Sequence, residues 1–261
     1  MLIDTLFPVK EVPATYSFNE EAGISDVNQN TGYKFIVRED NNKVLSCMTN
    51  EYKLVTNKEI IDTAAPLMNK HRAILEESTV LADGQKSVWK WRIPHMTIKV
   101  AENDLLNPEI IIKNSYDGSL QVHIMAGAFR IVCSNGLVIG VTLGQKNYKH
   151  SVNNKNLDFL DEAIDNTIDY SLSVGKEFEL LAETKLDEKH IIKLVEMFPS
   201  QMSQFLVEYL VARKPQNYWD LLNAGTFLAT HKMRREYQST HKTEQEIFPS
   251  VTKWAKAVAE A

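Results

Sequence analysis

Apolar and polar positions recur with a period near two in short runs over the first 150 residues, and with a helical period from about residue 157 onward. Residues 33–39 and 44–49 read as two strands joined by the turn-rich Asp40-Asn41-Asn42-Lys43. Thr56 or Asn57 then caps a helix over residues 58–71. Its Ile60, Ile61, Ala64, Leu67 and Met68 share a face, and its Pro66 marks a kink or an end. Residues 75–80 and 86–93 form a second strand pair about Asp83-Gly84. Within KSVWKWRI, Ser87, Trp89, Trp91 and Ile93 alternate with Val88, Lys90 and Arg92, so the tryptophans and the cations point to opposite sides. Strands over 96–100 and 109–113 enclose a loop at 102–108. A strand over 138–143 precedes the polar stretch 144–154.

The run NSYDGSLQVHIMAGAFRIVCSNGLVIG, residues 114–140, is the stretch the rest is organised around. A polar turn containing Asn114, Asp117 and Gly118 leads into a long apolar strand, as at a hairpin entering a core. Arg130 interrupts that strand, and a guanidinium in such surroundings requires a carboxylate, a phosphate or backbone carbonyls. Cys133, Asn135 and Gly136 follow, the Asn-Gly step forcing another tight turn. Beyond it, Leu157, Leu160, Ile164, Ile168, Leu172, Phe178 and Leu181 fall along one stripe, predicting a single amphipathic helix over 157–183 with its acids off the stripe. Further helices are expected over 187–197, 201–212, 218–237 and 243–259. The fold class is therefore α+β: an N-terminal antiparallel sheet with a packed helix, followed by a mainly α-helical C-terminal half. Residues 1–31 read as an irregular arm, 32–155 as the β-rich core and 156–261 as a helical region packed on it.

NSYDGS, FRIVCSNGL and the KHS at residues 149–151 together resemble a phage- and plasmid-borne family known as domain of unknown function 932. FIVREDNNKVLSCMTNEYKLVTNKEI and YWDLLNAGTFLATH fit the same family in order. The resemblance implies a mobile-element protein made inside a bacterial cell, without implying an activity.

Composition narrows the field. With 261 residues, 44% apolar and 24% charged, the chain suffices for one large domain or two modest ones. No apolar run is long enough to span a bilayer, and the start MLIDTLFPVKEVPAT lacks the basic and apolar regions of a secretory signal, so a cytoplasmic protein is expected. Cys47 and Cys133, both in strand-like sequence, read as buried reduced thiols. The net charge of −5 is uneven: residues 86–155 hold nine Lys or Arg against four acids, while 157–196 hold eleven acids against four lysines. A local field of that kind governs binding more than the total does.

No phosphate-binding loop, dinucleotide fingerprint, nucleophile elbow, HExxH helix or paired CxxC occurs in the sequence, and no cofactor is expected. Cys133, His150 and Asn135 supply the residue types of a thiol nucleophile, its base and an orienting group, but the sequence does not show that they meet. Lys90 and Arg92 beside Trp89 and Trp91, with Arg130, Lys146, Lys149 and His150, supply the cations and rings of a single-stranded nucleic-acid groove. On that reading the protein binds or anneals single-stranded DNA without catalysis, as a homo-oligomer. The plan of a bent sheet crossed by a helix is shared, by analogy, with single-strand annealing recombinases. Alternation equally allows both tryptophans to lie in the core. Two further readings stand beside it: a module that binds a host protein through its acidic helical half, and a nucleic-acid-processing enzyme.

Overall fold

The computed structural model describes residues 2–16, 29–101, 104–120, 122–130, 135–140, 159–231 and 237–260. The first of these, read above as an irregular arm, form a short helix α1 (Leu2–Thr5) and a strand β1 (Val9–Tyr16). Pro13 hides the alternation of β1, because it sits beside a register shift on an edge strand, one of the places where a missing N–H is tolerated. β1 pairs with β2 (Gln29–Arg38), which pairs with β3 (Lys43–Thr49), giving a three-stranded antiparallel sheet. Cys47, expected to be buried, is exposed on β3, opposite the partly exposed Phe35.

Helix α2 (Asn57–Lys70) begins where expected. The Thr56 hydroxyl accepts from the Glu59 amide at 3.2 Å while the Glu59 carboxylate accepts from the Thr56 amide at 2.7 Å, a reciprocal capping box. Thr56→Ala is expected to destabilise the protein by about 1 kcal/mol in a denaturant titration, whereas Thr56→Ser leaves the midpoint nearly unchanged. Pro66 does not end the helix, which continues to Lys70. The carbonyl that loses its N–H partner belongs to Asp62, an exposed position.

The larger sheet runs β4 (Ile74–Leu81), β5 (Lys86–Arg92), β7 (Asp104–Ser115), β8 (His123–Arg130), β9 (Asn135–Gly140), with β6 (Ile98–Ala101) paired to the first part of β7. β7 thus absorbs most of the loop expected at 102–108. Trp89 stands opposite Ile112, Trp91 opposite Ile110, and Ile112 opposite Ile124. This rank is covered by Ile60, Ile61 and Met68 of α2 and by Leu160, Ile164 and Ile168 of α3 (Phe159–Ser173), forming one core.

The helix expected over 157–183 is two helices. α3 stops at Ser173 and α4 (Gly175–Glu183) starts anew, with Gly175 at the break. Glycine weakens a helix, and a Cβ at this position would stand 3.3 Å from Ile98 Cγ2, so the break brings the chain close onto β6. There follow α5 (Lys189–Glu196), α6 (Ser200–Arg213), α7 (Tyr218–His231) and α8 (Tyr237–Ala259). α8 begins before the expected residue 243, and residues 232–236 lie outside the described set. These helices form a second core around Phe178, whose ring lies 5.3 Å from that of Trp219 and 5.4 Å from that of Phe248.

The two sheets meet at Tyr116, just after β7. Its ring is fully buried in the core of the small sheet, tilted against Phe7. Its hydroxyl accepts from the Asn57 amide at 2.8 Å, and its carbonyl accepts from the Ser46 hydroxyl. Asn57 Nδ2 donates to the Ser87 hydroxyl and the Thr5 carbonyl, and Asn114 Nδ2 donates to Asn57 Oδ1 at 2.9 Å. A buried polar junction thus ties α1, α2, β3, β5 and β7.

Candidate functional site

On β5 the alternation is obeyed but the rings are not available. Trp89 is 0% and Trp91 6% exposed, and Trp89 Nε1 donates to the Thr5 hydroxyl at 2.9 Å. Both face α2 and α3, so neither offers a surface on which a base can stack. The cations of the other rank have carboxylate partners. Lys90 Nζ lies 2.7 Å from Glu77 Oε2, and Arg92 Nη2 lies 2.6 Å from Glu76 Oε1 and donates through Nη1 to Asn107. Burial resists ionisation of Glu77, yet Lys90 and the Thr79 hydroxyl hold its carboxyl below the usual range.

Opposite Arg92 in the ladder stands Glu109, 4% exposed. Burial pushes its carboxyl up to about 7 against the pull of Lys90, and the nearby Glu77 and Glu76 add to the rise. Gly127, across the β7–β8 ladder, makes room for it: a Cβ there would lie 3.2 Å from Glu109 Oε2. Three carboxylates around two cations do not make a phosphate seat. This rank is a charged, mutually compensated layer rather than a basic trough.

The other expected residues divide in two. Asn114, Asp117 and Gly118 shape the β7–β8 turn: Asp117 Oδ1 accepts from the Ser119 amide at 2.9 Å, Lys86 lies 3.5 Å away, and Gly118 holds φ +71° against Met48. Arg130 pairs with Leu106 across β7–β8 and with Asn135 across β8–β9, and Gly136 pairs with Phe129. Leu106 shares the rank of Ile110 and Ile112, the alternate rank to that of Ile111 and Glu109. The side chains of Arg130 and Asn135, and all of Cys133, Lys146, Lys149 and His150, fall outside the described residues. On the acidic helix, Asp165 is engaged by His71 at 2.7 Å and Lys70 at 3.3 Å. No group of three or more His, Cys, Asp or Glu suited to a metal ion occurs among the described residues.

A different surface is open. Between α5 and α6 lies a groove of about 400 Å³, floored by Leu186, Ile191, Val207, Leu210 and Val211 and edged by Lys185, Glu188 and Lys214. Its walls are fixed to each other where the Leu186 amide donates to the Gln216 carbonyl at 3.0 Å and Lys185 bridges to Asn217. Val211 is 69% exposed and Val207 44%, with Ile192 at 63% and Phe205 at 52% on the same two helices. The signal for it is in the sequence: SQMSQFLVEYLVAR spreads apolar residues over most of its circumference, leaving Gln201, Gln204 and Glu208 as a polar strip, while Leu206 and Leu210 bury only one face.

Residues 44–260 match the model of the family described as domain of unknown function 932. The chain belongs to that family. Among curated proteins it is similar to the UPF0380 proteins YfjQ and YafZ of Escherichia coli (strain K12), each 46% identical over 43 residues. That match covers 16% of this chain and 16% of each relative's length. No solved structure matches the chain. No helix among the described residues is long and apolar enough to cross a membrane.

Proposed function

We propose that the protein is a recognition module that takes an amphipathic helical segment of another polypeptide into the groove between α5 and α6. The observation that carries this reading is Val211 and Val207, large apolar side chains left exposed in the lining of a preformed apolar cleft. Apolar surface gathered in one concave place, rimmed by charge, suits a docking site better than scattered exposed residues do. The main-chain link between Leu186 and Gln216 supports it further, because walls already held in place lose little freedom on binding.

The test is a selection of displayed helical peptides against the intact protein, followed by counter-screening on Val211→Glu. Val211 is a surface position, so the variant is expected to melt as the wild type does, within about 0.5 kcal/mol. Enriched peptides should bind the wild type at least roughly tenfold more tightly than the variant, a cost of about 1.4 kcal/mol. A selection that returns no peptide sensitive to Val211 sinks the reading. In the same assay a labelled single-stranded oligonucleotide probes the nucleic-acid alternative. Tight, salt-sensitive binding of it, indifferent to Val211→Glu, would transfer the role to the cations of residues 130–150.

A further inference from the structure

Lys214 closes α6 with φ 48° and ψ 65°, the left-handed conformation that glycine adopts freely and a lysine does not. Its amide donates to the Leu210 carbonyl at 2.8 Å, so the strained turn is a genuine helix cap. The strain holds a long cation at a lip between two cavities. One is the groove already described, and the other, of about 300 Å³, continues past Arg213 and Asn223. Lys185 also lines the first cavity. Among the described residues neither lysine has an ion pair, unlike Lys90 and Arg92 of the sheet. Of the acids nearby, Asp220, which accepts from the Gln216 amide at 2.9 Å, lines the second cavity, and Glu188 is the carboxylate lining the first.

We infer that the occupant of this groove is an amphipathic helix whose apolar stripe is flanked by carboxylates, the stripe resting on Val207 and Val211 and the carboxylates meeting Lys185 and Lys214. This rests on the recognition-module reading above and adds the charge class of the partner. An acidic flank gains two unpaired ammonium groups at the rim of an apolar floor, where the attraction is screened less than in open water. A basic flank meets the same groups as repulsion.

The experiment uses two synthetic helical peptides with one leucine stripe, flanked in one by glutamates and in the other by lysines, titrated by fluorescence anisotropy into the full chain. The glutamate peptide is expected to bind the wild type at least roughly tenfold more tightly, about 1.4 kcal/mol, than the lysine peptide. That preference should invert on the Lys185→Glu/Lys214→Glu double variant. Lys214→Gly provides an independent signature: its melting temperature should rise by roughly 2–4 °C as strain is released, while the glutamate peptide binds more weakly. Equal binding of the two peptides overturns the inference and leaves the module reading intact. Failure of the glutamate peptide to bind also overturns it, with the module reading then judged by the displayed selection alone. Binding of the glutamate peptide that survives Val211→Glu places it elsewhere and overturns the inference as well.

Discussion

Trp89→Ala is expected to lower stability by about 4 kcal/mol, enough to leave the chain largely unfolded at 37 °C if its total stability is ordinary. The ring is wholly enclosed between β5 and the helices α2 and α3, and its removal opens a cavity that residues held in a sheet cannot close. The same change strips the Thr5 hydroxyl of its indole donor. Trp89→Phe keeps most of the packing and should cost less, largely through the lost hydrogen bond. Circular dichroism melts of the two variants decide the matter. A Trp89→Ala protein that melts like the wild type would show the ring to be dispensable for folding and would restore the stacking platform that the alternation of KSVWKWRI allows.

Glu109→Gln is the second large effect, and it is a stabilisation. The folded carboxyl titrates near 7 against an ordinary 4.5, so the native state holds its proton where the unfolded chain has released it. For a group raised in this way, stability is highest below the unfolded value, falls as pH climbs from about 4.5 to 7, and is flat beyond. The ionised form costs on the order of 3 kcal/mol at pH 8 and less than about 1 kcal/mol at pH 5. Glutamine, neutral and of the same shape, removes that dependence. The variant should therefore be more stable than the wild type at pH 8 and nearly equal to it at pH 5, as read from denaturant midpoints at the two values. A loss at pH 8 would mean that Glu109 is ionised and well paired with Lys90 in the native protein, and a gain that is the same at both pH values would mean that folding leaves its titration unchanged.

Much of the fold was legible because strand and helix periods are local. The β2–β3 and β4–β5 pairs, the capped start of α2 and the core stripe of α3 all follow from positions a few residues apart. What escaped depended on contacts between distant segments. β1 was obscured by Pro13, and its identity as a strand comes from pairing with β2. The break at Gly175 reflects the proximity of Ile98, more than seventy residues earlier. The same holds for the candidate sites. Lys90 and Arg92 read as free cations until strand register places Glu77 and Glu76 beside them. The groove gathers Lys185 and Lys214 into one lining because residues 185–186 pair with 216–217, a link that no periodicity announces. The local sign of it, an α6 whose apolar residues extend well beyond the face that Leu206 and Leu210 bury, reads from sequence as an ordinary core-facing helix.

The junction at Tyr116 bears on how the molecule comes apart. A side chain supplied by the larger sheet plugs the interior of the smaller one, while its hydroxyl receives the first amide of α2. Neither sheet can lose its order without exposing the other's filling and stranding several donors at once. Heating should thus give one sharp transition reported alike by tyrosine and tryptophan signals, with no plateau in which the small sheet has melted and the large one persists.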